Sequence, residues 1–336
     1  DVEILPPLRD AELNYRRKAR LAVRFVSKKG GALVGFREKY SSFIAEMDHC
    51  EVLVPEVASL IAPLRALFTT LDGRMEIPQI EVAVGETEPE AEAPKTVALV
   101  VRHLEELSAA DSDALVGFAK EHAVEVYLQP AGNDSVARLW PQAAEDRLCY
   151  FLPDFNLELA FHPMDFTQVN AGINRKIVSH AIDLLDLNKQ DSVLDLFCGL
   201  GNFTLAAATR AGSVVGVEGS QEMVERGGEN ALKNGLENTR FYAANLAKSF
   251  ADEAWSRDSY SKVLLDPPRS GALEIIKEVA ALGAQKIVYI SCNPATLARD
   301  TAELVAAGYR LTTAGVMDMF PHTTHVESMA VFERTR

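Results

Sequence analysis

From about residue 170 the chain alternates short apolar runs with amphipathic stretches of 10–15 residues. The spacing predicts a helix over 170–186, a strand in SVLDLF, a glycine-rich turn, a helix over 202–211, and a strand in SVVGVEG. A helix over 220–234 follows, then strands in RFYAANL and KVLLDPP, a helix over 272–282, a strand in KIVYISC, a helix over 294–307, and a closing pair near 310–318 and 327–333. Fully buried strands read as apolar runs, and crossover helices supply the 3.6-residue period. This rhythm predicts an α/β fold, a doubly wound parallel sheet, which binds its ligands at the carboxyl ends of the strands.

The first part of the chain has a different grammar. KARLAVRFV, a Gly30-Gly31 turn and ALVGFRE read as a hairpin. Residues 53–71 read as a helix, 85–95 as an acidic exposed loop, KTVALVVRHL as a strand, 108–121 as a Ser-capped helix and VEVYLQP as a strand. At 336 residues two domains are expected: a smaller α+β domain over 1–160 and the doubly wound domain over 161–336.

Charge bears on the partner. The net formal charge of −14 would repel a polyanion. Residues 1–40 nevertheless hold ten Lys/Arg against five Asp/Glu, while the rest holds 24 against 43. The hairpin puts arginines on one face, which suits either phosphate contact or an ordinary solvated surface. No run reaches the roughly 18 apolar residues of a membrane span, and no secretion signal is visible. Four dispersed cysteines exclude a disulfide scaffold and favour a cytoplasmic setting, with burial as the default state of each thiol. The chain opens at Asp1, which predicts that a preceding portion is missing.

The first strand of the doubly wound region runs into Asp195-Leu-Phe197-Cys-Gly199-Leu-Gly201-Asn202. Glycines there let a nucleotide-like ligand approach the backbone. The third glycine of G-x-G-x-x-G, which a pyrophosphate requires, is absent, so the turn favours S-adenosylmethionine over a dinucleotide. Glu218, at the end of the second strand, is placed to accept from ribose hydroxyls, and Asn245 to meet the adenine edge. Asp266-Pro267-Pro268-Arg269 turns the chain sharply at the mouth of the fourth strand. That motif alone also suits methylation of an amino group.

The fifth strand runs into Ser291-Cys292-Asn293-Pro294. A cysteine at a strand mouth before a helix N-terminus is expected to have a lowered pKa. Cys198 and Cys149 read as structural. Carbon 5 of a pyrimidine is a poor nucleophile until a thiolate adds to carbon 6; a base must then remove the carbon-5 proton. Glu327 is the candidate base, against the plainer reading of a surface carboxylate, with Asp318, His322 and His325 nearby in sequence.

The segments Asp165-Phe-Thr-Gln168-Val-Asn170, Leu194-Asp-Leu-Phe-Cys-Gly-Leu-Gly-Asn202-Phe, Leu265-Asp-Pro-Pro-Arg269, Ser291-Cys-Asn-Pro294 and His325-Val-Glu327 occur in this order. Together they resemble the RNA uracil-C5 methyltransferases over almost the whole chain, with Met319-Phe-Pro-His322-Thr pointing to the members that act on 23S ribosomal RNA. The resemblance implies that Cys292 is the nucleophile and Glu327 the base. It implies that Gln168, Phe197, Gly199, Gly201, Asn202, Glu218, Asn245 and Asp266 hold S-adenosylmethionine, with Asp266 also holding the uracil ring. It further implies a flipped target base and an RNA-gripping region over 1–160; for oligomeric state, which the sequence does not show, a monomer is the default expectation. The family carries a [4Fe–4S] cluster on four cysteines and an N-terminal TRAM domain. Here only Cys50 matches a cluster ligand and the TRAM domain has no counterpart, so a cluster is not expected on this chain alone. Three other readings stay open: another ribosomal or transfer-RNA T-loop uridine as target, amino-group methylation at Asp266-Pro-Pro, and a non-catalytic RNA-binding remnant.

Overall fold

The structure is a computed structural model that describes residues 1–89, 94–143 and 147–335. It parts into two compact units: a first of Asp1–Asp10, Phe151–Leu159 and Gly172–Arg336, and a second of Ala11–Tyr150 and Ala160–Ala171. The chain thus crosses between units four times rather than once after residue 160. Residues 90–93, within the expected acidic loop, lie outside the described residues.

The chain opens on β1 (Glu3–Ile4). The second unit then runs through β2 (Lys18–Val26), β3 (Gly31–Gly35), α1 (Pro55–Ala58), α2 (Ile61–Thr70), β4 (Gln79–Glu86), β5 (Lys95–Arg102), α3 (Ala109–His122), β6 (Glu125–Gln129) and β7 (Ala137–Trp140). Its six strands form one mixed sheet in the order β3-β2-β4-β5-β6-β7, parallel only between β5 and β6, whose connection is α3. The expected hairpin is β2 and β3, and Ser108 caps α3 by accepting from the Asp111 backbone N–H at 3.0 Å. The single helix expected over 53–71 is two helices. Pro63 has no N–H to give the Ser59 carbonyl, and its ring would clash with that carbonyl, so the helix restarts at Ile61 with the proline in its first turn. β4 is an addition to the elements expected from sequence. Ile80, Val82 and Val84 are buried there, and Glu81, only 7% exposed, is held by Arg20 at 2.6 Å.

β8 (Leu148–Leu152) and β9 (Leu157–Phe161) form a two-stranded sheet divided between the units. The remaining elements are α4 (Ala171–Leu185), β10 (Ser192–Leu196), α5 (Asn202–Arg210), β11 (Ser213–Glu218), α6 (Gln221–Lys233), β12 (Thr239–Ala243), β13 (Lys262–Leu265), α7 (Ile276–Ala281), β14 (Lys286–Ser291), α8 (Pro294–Ala306), β15 (Tyr309–Met317) and β16 (Glu327–Arg334). The first unit is built on an eight-stranded sheet in the order β1-β15-β16-β14-β13-β10-β11-β12. β10 to β14 pair in parallel, as the alternation predicts. β16 runs antiparallel to both β14 and β15, and β1 adds a parallel edge beside β15. The strand order reverses between β10 and β13, which is where a sheet of this kind opens a ligand crevice. Its core buries Leu194, Val215, Val263, Ile287, Tyr289 and Phe332.

Candidate active site

The site sits at the carboxyl ends of β10, β11, β13 and β14. After β10 the backbone takes left-handed φ at Phe197 (65°), Gly199 (55°) and Gly201 (96°). At Gly201 a Cβ would press on Leu205 at 3.2 Å and the Phe241 ring at 3.3 Å, so conformation and space both demand glycine. At Gly199 a Cβ would meet nothing closer than 3.9 Å, so open space lies against the turn.

Glu218 faces that turn. Its carboxylate accepts from the backbone N–H groups of Gly199 (3.1 Å), Gly219 (2.7 Å) and Ser220 (3.2 Å). A carboxylate has about four acceptor positions, so it is oriented by the backbone and still able to accept a ligand hydroxyl. Asp195, 1% exposed, accepts from the Thr204 hydroxyl at 2.6 Å through one oxygen while the other has no partner. Burial first, and the Glu218 charge after it, push the Asp195 carboxyl up to about 7. An orphaned buried oxygen beside an open glycine turn fits a ligand carrying hydrogen-bond donors. Asp195 is a site residue that the motif reasoning leaves without a role, although an acidic residue inside VLDLF is a signal that points to it.

Asn202 exchanges amide hydrogen bonds with Asn174 of α4 at 2.9 and 3.1 Å. Half-buried Phe197 packs against the core of the first unit. Asn245 is exposed just beyond β12, its side-chain oxygen accepting from Ala247 N–H at 3.0 Å. Gln168 lies in the second unit, where its backbone carbonyl accepts from Arg17 Nε at 3.0 Å.

The mouths of β13 and β14 are stitched together. Asn293 accepts from the Ala295 N–H at 3.1 Å to cap α8, and its Nδ2 donates to the Arg269 carbonyl at 3.2 Å. Asp266 N–H donates to the Leu196 carbonyl at 3.3 Å, holding the start of the Asp-Pro-Pro turn against β10. The β14–β16 ladder ends by pairing Ser291 with Ser328, so Cys292 and Glu327 are the next residues beyond that pair, and the Glu327 and Asp266 charges both act on the thiol. Three of the residues singled out from sequence, Cys292, Glu327 and Asp266, are thereby gathered at one place. Arg269 acts electrostatically on the first two, and its guanidinium reaches His325 Nδ1 at 3.2 Å. A guanidinium only donates, so in this contact His325 Nδ1 is the acceptor.

The electrostatics overturn one expectation. Cys292 precedes the cap of α8, yet its thiol pKa is raised, not lowered: burial disfavours the thiolate, the Glu327 and Asp266 carboxylates add to this, and Arg269 opposes. Burial likewise pushes Glu327, 9% exposed, up to about 7 against the pull of Arg269, so it is no surface carboxylate. Asp266 is raised well above its usual range by burial, then by the Glu327 and Asp195 charges. A carboxylate poised near 7 is matched to proton abstraction at neutral pH. Only Cys198 is fully buried; Cys149 and Cys50 are half-buried. Among the described residues no group of three or more His, Cys, Asp or Glu could hold a metal ion, so Cys50 and its neighbours do not fit a [4Fe–4S] cluster by themselves.

A doubly wound sheet with an antiparallel final hairpin, a glycine turn after its first strand and an acidic residue after its second has the architecture of a Rossmann-like methyltransferase. The sequence profile of the tRNA (uracil-5-)-methyltransferase family matches residues 153–335, and the chain belongs to that family. The 23S rRNA (uracil(1939)-C(5))-methyltransferase RlmD of Alcanivorax borkumensis is 57% identical over 334 residues, which cover 99% of this chain and 73% of the relative. The enzyme of the same name from Alkalilimnicola ehrlichii is 56% identical over 332 residues, covering 98% and 73%. The crystal structure of Pyrococcus abyssi tRNA (uracil-54, C5)-methyltransferase in complex with S-adenosyl-L-homocysteine matches with a TM-score of 0.74 at 22% identity, covering 99% of this chain and 79% of that one, which shows a shared fold.

Proposed function

We propose that the protein methylates carbon 5 of a uridine in 23S ribosomal RNA, at the position named for its relatives (uracil 1939), with S-adenosylmethionine as methyl donor and as a monomer in the cytoplasm. The observation that carries the chemistry is that Cys292 and Glu327 adjoin the last β14–β16 pair, with the Glu327 and Asp266 charges both acting on the thiol. S-adenosylmethionine supplies an electrophilic methyl group on a sulfonium. The Glu218 carboxylate, the Gly199–Gly201 turn, Phe197, Asn202, Asn245 and Gln168 are the groups we assign to holding it, with the free oxygen of Asp195 as a further acceptor.

Cys292 forms an Sγ–C6 bond to the uracil as its thiol proton passes to solvent, which leaves the Glu327 carboxylate free to act as base. The ring electrons shift toward carbon 5, which takes the methyl group as the sulfonium S–CH3 bond breaks and its electron pair stays on sulfur, leaving S-adenosylhomocysteine. Glu327 then removes the carbon-5 proton, the Sγ–C6 bond breaks and the C5–C6 double bond returns. One proton is released per turnover. Burial raises the Asp266 carboxyl well above its usual range, which favours the form that can donate to a ring carbonyl.

The RNA-gripping role belongs to the second unit in this reading. Amino-group methylation would make Cys292 dispensable, and a non-catalytic remnant would need none of the three. The test incubates the protein with unmodified 23S ribosomal RNA and labelled S-adenosylmethionine and maps the product by mass. The expected product is a single 5-methyluridine. Transfer to an exocyclic nitrogen, or no transfer at all, would overturn the assignment.

A further inference from the structure

The outer face of the second unit's sheet carries a feature that the methyl-transfer chemistry does not use. Along β2 the side chains alternate, so Leu21 and Val23 enter the core while Arg20, Ala22 and Arg24 face outward. Ile44 covers Ala22 and Leu33 on that outer face, 7% exposed, and so anchors the loop that follows β3. The loop is built rather than slack. Arg37 bridges to Ile44, Glu38 N–H donates to the Phe43 carbonyl at 2.9 Å, Ala45 N–H to the Phe36 carbonyl at 2.9 Å, and Phe43 N–H to the Ser41 hydroxyl at 2.9 Å.

This hydrogen-bonded loop projects two aromatic rings into solvent. Tyr40 is 96% exposed on a left-handed backbone (φ 60°), and Phe43 is 68% exposed. Single exposed apolar side chains are ordinary, but two rings on one short anchored loop are not. Exposed cations accompany them, Arg37 and Lys39 in the loop itself and Arg24 on the outer face of β2, and among the described residues none of the three has a carboxylate within ion-pair distance. Lys39 lies 5.2 Å from the Tyr40 ring centroid. Of the carboxylates nearby, Glu81 is engaged by Arg20, Glu46 by Lys29 and Asp48 by Arg65, while exposed Glu38 sits in the loop between Arg37 and Lys39 and leaves residues 37–44 with a net charge of +1.

We propose that the Arg37–Ile44 loop and the Arg20–Arg24 face of β2 form a binding surface for a single-stranded RNA segment, with Tyr40 and Phe43 as stacking platforms for unpaired bases and Arg24, Arg37 and Lys39 on the phosphates. The assignment rests on the reading of the protein as an RNA methyltransferase and adds where, and in what form, the RNA is held. A duplex keeps its base faces stacked inside the helix and cannot occupy such platforms, whereas a single strand satisfies rings and cations together. A strongly acidic chain would otherwise repel RNA, so attraction has to be local.

The test measures binding of a fluorescent uridine-rich 12-nucleotide single strand, and of a duplex of equal length, to the full chain. The Tyr40→Ala/Phe43→Ala protein should bind the single strand roughly tenfold or more weakly, with the salt dependence unchanged. Arg24→Gln/Lys39→Gln should instead flatten the salt dependence by about one unit for each phosphate that is no longer neutralised. Tyr40→Trp should retain binding, and its fluorescence should be quenched on adding the single strand, a readout that does not depend on how the alanine variant folds. Equal affinity in a folded alanine variant, absence of quenching, or duplex binding as tight as single-strand binding would each overturn the proposal. The wild-type transfer assay separates the two readings: transfer without any loop effect removes the loop assignment and leaves the activity. A loop effect without transfer does the reverse.

Discussion

The mouth of β14 and the loop after β3 both gather ionisable side chains, and they use charge in opposite ways. At the first, Cys292, Asp266 and Glu327 are withdrawn from water, so each is pushed toward its neutral form, and Arg269 opposes this for the thiol and for Glu327. At the second, Arg24, Arg37 and Lys39 stay solvated, and two exposed rings, Tyr40 and Phe43, share the loop with them and with a single carboxylate, Glu38. Burial tunes reactivity because a low dielectric magnifies every neighbouring charge. Exposure suits capture, because solvated cations attract a polyanion at little desolvation cost and release it as salt rises. The contrast predicts that changes at the first place alter kcat and pH dependence, and changes at the second alter affinity for RNA.

The sharpest way to break the contrast is Cys292→Ala. It should reduce methyl transfer by on the order of 10⁴-fold or more and abolish any covalent RNA adduct on a denaturing gel. A variant that still turned over would remove the thiol from the chemistry. Glu327→Gln should leave Sγ–C6 bond formation possible but block its resolution, so turnover should fall roughly 10²- to 10⁴-fold while a gel-stable adduct accumulates. Free RNA alone on that gel would assign the proton transfer elsewhere.

Arg269→Gln tests the electrostatic side. Glu327 accepts a proton only as a carboxylate, so the wild-type rate should drop about tenfold per pH unit below about 7 and flatten above it when proton abstraction limits. Arg269 lowers both Glu327 and Cys292, so its removal should move the acid limb to higher pH. Arg269→Lys should restore much of the wild-type limb. An unmoved profile would mean that its contact with His325, not its charge, is the role of Arg269. At the RNA face, Tyr40→Ala/Phe43→Ala should weaken affinity about tenfold and leave this profile in place.

The smallest effect expected is on stability. Thr204→Val deletes the side-chain donor to Asp195 inside the core and should destabilise the fold by about 1–3 kcal/mol, read from urea unfolding. No change would indicate that Asp195 is already protonated and satisfied by another group.

Much of the catalytic unit is legible in sequence because its signals are local. β10 to β14 and their helices follow from apolar runs, caps and breaks that act within a few residues. The glycine turn, Glu218, the Asp266-Pro-Pro turn and Cys292 each close one such run, so their places at the strand ends follow from the same pattern. The second unit is less readable. β4 is hidden because Glu81 and Gly85 interrupt its apolar run, and the cross-strand Arg20, with a hydrogen bond from Gln79, makes the buried carboxylate tolerable. The break between α1 and α2, by contrast, is signalled by Pro63, and the expectation of one continuous helix neglects it.

What the chain determined by itself is the alternation, the backbone-permissive turn and the identity of the reactive groups, since each depends on side chains adjacent in sequence. What only the tertiary structure decided is how those groups meet and how they titrate. Cys292 is brought near Glu327 by the antiparallel pairing of β14 and β16 up to Ser291 and Ser328, a pairing set by the burial of both strands in one core. The sign of the thiol shift followed from that meeting: a helix terminus alone favours the thiolate, but burial beside two carboxylates outweighs it. A partial dipole at a helix end is a local property, whereas desolvation and facing charges are properties of the packed fold.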